Sequence, residues 1–67
     1  MRLEQALKLR EGQKVGFPKD RGDAAGRGTV EHISDTIHTN HKGVRFLWVT
    51  VRSSGRASVW PSNRLTA

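Results

Sequence analysis

The cations of this chain have the clearest chemical potential. They stand at Arg10, Lys14, Lys19, Arg21, Arg27, Lys42, Arg45, Arg52, Arg56 and Arg64, among others. Lys19, Arg21 and Arg27 fall in a glycine-bearing stretch. Arg52 and Arg56 flank a Ser-Ser-Gly turn, and Arg64 follows Pro61-Ser62-Asn63. Several cations on loop positions suit phosphate, because such contacts are mainly electrostatic and release counterions. Arginine outnumbers lysine, which favours two-pronged contacts to phosphate or carboxylate. Lys19, Arg21, Arg27, Arg52, Arg56 and Arg64 are therefore candidate nucleic-acid contacts. Trp48, which lies between Arg45 and Arg52 in sequence, joins them as a base-stacking platform if its ring is exposed. The plainer reading is that a small protein with a formal net charge of +6 carries it for solubility.

Other chemistry is weaker. His32, His38 and His41 would gather into a zinc-like trio only if residues 35–43 folded back on the strand before them. Their spacing matches no helix-borne metal motif, so no metal and no cofactor is expected. Glu4, Glu11, Asp20, Asp23, Glu31 and Asp35 are scattered, and nothing marks two of them as an acid–base pair. Ser53-Ser54-Gly55 reads as a turn rather than a nucleophile. Gly22, Gly26 and Gly28 precede no helix, so the dipole that lets a glycine loop cradle phosphate is missing. Arg21-Gly22-Asp23 matches an adhesion tripeptide by chance. The chain is expected not to be an enzyme; an active site remains conceivable only if oligomerisation assembles one at a symmetry axis.

Length bounds the architecture. Sixty-seven residues make one domain, 1–67, and are too few for a dinucleotide-binding sheet or an eight-fold α/β barrel. Without cysteine there is no disulfide staple and no thiolate zinc site, which fits a reducing compartment. Residues 1–6 hold no apolar stretch like the core of a signal peptide, and no apolar run is long enough to span a bilayer. A cytoplasmic location is the expectation. Size and charge suit a small accessory protein of a bacterium, phage or plasmid.

Elements must place these side chains. Leu3, Ala6 and Leu7 share one helical face, so residues 2–9 are expected to form a short helix that caps a sheet. Too short to stand alone, this helix would cover the Phe46/Trp48 face with Leu3 and Leu7. Gln13 to Phe17 alternates as a strand and stops at Pro18. Residues 18–28 form a long loop, and a second strand runs over about 28–34. Val30 and Ile33 are three apart there, which calls for a bulge or for burial on both faces. Residues 35–43 connect, with positive φ expected at Asn40 and Gly43. The strongest strand is 44–52, with Leu47, Val49 and Val51 on one face and Val44, Phe46, Trp48 and Thr50 on the other. Either face could be the buried one. Arg56 to Trp60 returns after a hairpin turn, and residues 64–66 make a last short strand.

The close of the chain, Val59-Trp60-Pro61-Ser62-Asn63-Arg64-Leu65, resembles the end motif of SH3 domains. That resemblance implies that Trp60 and Leu65 are core and that Pro61-Ser62-Asn63 is a one-turn 3₁₀ segment before the last strand. Gly12-Gln13-Lys14-Val15 with Gly28-Thr29-Val30 is similar to bacterial SH3-like barrels, among them the type II dihydrofolate reductases and KOW-type modules. The likeness covers most of 12–66. Arg64 stands where SH3 domains carry an aromatic residue, and the chain has no tyrosine, so a polyproline groove is not implied. The reductases' Val-Gln-Ile-Tyr pore stretch is missing, and no catalytic residue carries over.

The expected fold is mainly all-β: an SH3-like barrel of about five short strands over 12–66, with a helical cap over 1–11. The expected role is a non-enzymatic module that contacts nucleic acid through a basic loop surface. The alternative is a protein–protein adaptor or small homo-oligomer that uses the Phe46/Trp48 face or an edge strand.

Overall fold

The computed structural model describes residues 1–19 and 24–67. Its backbone is mostly β. Strands β1 (Lys14–Phe17), β2 (Gly26–Ile33), β5 (Trp48–Ser53) and β6 (Arg56–Pro61) form one antiparallel sheet in the order β1-β2-β5-β6. Two short strands, β3 (His38–Thr39) and β4 (Arg45–Phe46), pair as a separate hairpin. The main sheet is not closed. Thr66 adds only a two-bond bridge to Gly16 on the outer edge of β1, in place of the last strand expected over 64–66.

The expected strand 44–52 is broken at Leu47, for a backbone reason. The Leu47 N–H donates to Ser62 Oγ at 3.0 Å, and the Ser62 N–H donates to the Leu47 carbonyl at 2.8 Å. Leu47 thus spends its hydrogen bonds on the 3₁₀ turn (Ser62–Arg64), while β4 and β5 pair with different neighbours. Ser62 is buried because its hydroxyl satisfies this junction. The turn starts one residue later than the end motif implied, with Pro61 still in β6.

Alternation then decides which face is buried. Val15, Val30, Val49, Val51, Leu47, Trp60 and Leu65 make the core, so the aliphatic face of 44–52 is the inner one. Trp60 and Leu65 are core, as the end motif implied. The three-residue step from Val30 to Ile33 is resolved by a bulge: Val30 pairs with Val51 and His32 with Thr50, leaving Glu31 as the extra residue. Gly28 faces inward against β5. A Cβ there would lie 2.5 Å from Val51 Cγ1 and 2.7 Å from the Arg52 carbonyl oxygen, so only glycine lets β2 approach so closely. Ser54 and Gly55, with φ of 51° and 80°, form the two-residue hairpin turn whose twist suits its strands.

The helix is shorter than expected and uses other residues. It spans Leu3–Ala6, and the Gln5 side chain accepts the Arg2 N–H at its start. Ala6 and Leu9 are buried in the core, Leu3 is half-buried against it, and Leu7 is 59% exposed. This segment packs on the inner side, near β4 and the 3₁₀ turn, and the Met1 amino group donates to the Leu65 carbonyl. It does not cover Trp48. In the 35–43 connection Gly43 has positive φ but Asn40 does not. Asn40 turns the chain with its side chain instead, Oδ1 accepting the N–H groups of Lys42 and Val44 at 2.8 and 3.0 Å. Among the described residues no helix is long and apolar enough to cross a membrane.

Candidate functional site

Two surfaces carry both aromatic rings and cations, and the sheet separates them. The first is the outward face. Because Val49 and Val51 point inward, Trp48, Thr50 and Arg52 point outward along β5. The register carries this row across the sheet: Lys14 pairs with Thr29, which pairs with Arg52, and Arg27 pairs with Gly16 one step further on. Lys14, Arg27 and Arg52 are all exposed on this side. Trp48 is 40% exposed at the other end of the strand. Its ring meets Phe46 edge-on at 5.0 Å, and His38 lies 5.9 Å from Phe46 and 6.2 Å from Trp48. Phe46 is buried, yet outside the main core. It meets the indole edge-on, and the pairing of β3 with β4 sets His38 opposite Phe46. Val59, 60% exposed, pairs with Thr50 and extends the same face onto β6.

The outward cations differ in how freely they are held. Arg52 spans Glu31, with Nε to Oε2 at 2.7 Å and Nη2 to Oε1 at 3.3 Å, and its Nη1 donates to the Gly55 carbonyl at 3.2 Å. Both side chains are about half exposed, so the pair contributes under about 1 kcal/mol to stability. It still directs the guanidinium, and a phosphate at Arg52 must compete with Glu31. Arg27 reaches the Ala67 carbonyl at 3.4 Å, a weak contact, and Lys14 makes no ion pair with a described residue. Arg52–Glu31 is the sole ion pair among the described residues.

The second surface lies on the inner side of the sheet, where β1 and β6 face one another without pairing. A cleft of about 190 Å³ opens there, lined by Phe17, Ala24, Ser53, Arg56, Ala57, Ser58 and Trp60. Phe17 stacks on Trp60 at 5.5 Å with 21° between the planes, and Arg64 sits 5.7 Å from the Trp60 ring centre. Trp60 itself is only 7% exposed; its Nε1–H donates to Ser58 Oγ at 2.9 Å.

The candidate contacts divide accordingly. Arg27, Arg52 and Trp48 share the outward face. Arg56 lines the cleft, and Arg64 covers the tryptophan behind it. Lys19 is exposed just after β1, and Arg21 lies outside the described residues. Among the described residues, the candidate arginines divide between the two surfaces. Lys14, Phe17 and Val59 are additions to the candidate set. Lys14 was legible as an outward residue from the alternation with Val15, whereas the roles of Phe17 and Val59 depend on which strands meet. His38 packs in the aromatic cluster, and among the described residues there is no group of three or more His, Cys, Asp or Glu placed to hold a metal ion.

Comparisons with protein-family models, with curated proteins and with solved structures find no match for this chain.

Proposed function

We propose that this protein is a small nucleic-acid-binding module that takes single strands on the outward face of its sheet. One observation carries the reading: the exposed Trp48 indole shares that face with Lys14, Arg27 and Arg52. An exposed ring accepts any unpaired base, and cations along the same face neutralise the adjoining phosphates. A duplex offers no unstacked base, so single strands are preferred. No catalytic role is assigned to any residue, and a cytoplasmic setting fits the reading. The order β1, long connection, β2, β5, β6, 3₁₀ turn, with Thr66 returning to β1, supports an SH3-like reading of the roll. Binding of a labelled single-stranded oligonucleotide, followed by anisotropy across salt concentrations, tests the function. Affinity falls steeply as salt rises; negligible affinity at low salt removes the proposal.

A second reading, a protein partner or a second copy on the same side, is favoured by one observation. β6 is the last strand of the sheet, and Val59 is exposed beside its open edge. It predicts association that survives high salt and is weakened by Trp48→Ala. Sedimentation as a sharp monomer counts against self-association.

A further inference from the structure

We infer that the cleft between β1 and β6 takes one planar, acceptor-bearing ring with an anionic group beside it: a single pyrimidine nucleotide of the bound strand. The inference rests on the nucleic-acid reading but uses a different surface. Size comes first. At about 190 Å³ the cleft is below the range of 300–1,000 Å³ typical of small-molecule pockets, so it suits one ring rather than two. Shape follows from the lining. Phe17, half-buried and stacked on Trp60, supplies a flat apolar wall, and Ala24 and Ala57 leave space in front of it.

Polarity narrows the ligand further. Ser58 Oγ already accepts the Trp60 Nε1–H, so its own hydroxyl hydrogen is left to donate. Arg56, exposed at the rim, adds a guanidinium that only donates. Ser53 Oγ donates to the Arg27 carbonyl at 3.2 Å, which fixes that hydroxyl at the wall. Among the described residues no carboxylate lines the cleft. The Arg56 guanidinium at the rim disfavours a cationic ligand, which an aromatic wall could otherwise hold. These donors favour a ring whose edge carries carbonyl oxygens, with its phosphate on Arg56.

The two tryptophans make the test selective, since their indole N–H resonances report the two surfaces separately and Trp48→Phe assigns them. The probes are thymidine 5′-monophosphate, adenosine 5′-monophosphate and inorganic phosphate at matched millimolar concentrations, then a single-stranded oligonucleotide. The thymidine nucleotide is expected to shift the Trp60 resonance saturably, the adenosine nucleotide to act more weakly, and phosphate alone to leave it in place. Arg56→Ala, an exposed change that spares the core, should weaken the thymidine response about 10-fold. Oligonucleotide binding should shift both resonances. If the oligonucleotide moves Trp48 alone and the thymidine nucleotide leaves Trp60 unmoved, the cleft inference fails while the outward-face reading stands. If phosphate shifts Trp60 as far as the nucleotide does, no ring is recognised and the inference fails. If neither resonance responds to any probe, both readings fail.

Discussion

The chain has two tryptophans, and they sit in opposite situations beside similar neighbours. Trp60 is nearly sealed, stacked on Phe17, with its N–H spent on Ser58 and Arg64 over its ring. Trp48 stands on the outward face with 40% of its surface in water, beside Phe46 and His38. Each ring has an aromatic neighbour, so residue type does not separate them. Strand parity does. Trp60 pairs with Val49 and inherits the inner face; Trp48 is the neighbour of Val49 and takes the outer one. A tryptophan paired inward holds the roll together, and one paired outward is free to meet a ligand.

Substitutions sharpen that contrast, starting with the largest. Trp60→Ala empties the inner face and removes the support of Phe17. A loss of about 3–5 kcal/mol is expected, enough to unfold much of a domain this small, as urea denaturation would measure. Gly28→Ala forces β2 away from Val51 and should cost about 1–3 kcal/mol in the same assay without touching either aromatic surface. Trp48→Ala reverses the pattern. Stability falls by less than Trp60→Ala costs, while single-strand affinity drops about 5- to 150-fold, which corresponds to the loss of one stacked base. Equal destabilisation by the two tryptophan changes would break the comparison. Glu31→Gln is the mildest. It releases the Arg52 fork, so single-strand affinity at low salt rises about 2- to 5-fold with stability changed by less than about 1 kcal/mol.

Much of this was legible in the residues, and the reasons are local. Val15 with Phe17, Leu47 with Val49 and Val51, and the Val30–Ile33 step with its bulge all follow from a period of two. The 3₁₀ turn and the burial of Trp60 followed from the end motif. The misses share a cause: each depends on what a backbone group meets from far along the chain. Leu47 leaves the strand because Ser62, fifteen residues on, takes its hydrogen bonds. The amino-terminal segment docks with Ala6 and Leu9 rather than Leu7 because the core lies on the side of Leu47 and Leu65. The cleft needs Phe17 and Arg56 to face each other across unpaired strands, which no spacing encodes. Composition suggested one basic loop surface, whereas alternation sends Arg27 and Arg52 outward and leaves Arg56 at the cleft.

The most direct test of the outward face compares wild type and Trp48→Ala for a single-stranded oligonucleotide over a salt series. With about three phosphates neutralised, log affinity should fall against log salt with a slope of about −2. Trp48→Ala should bind more weakly at every salt concentration with that slope unchanged, because stacking is lost and the cations remain. Unaltered affinity after Trp48→Ala, or no binding by wild type at low salt, would contradict the account.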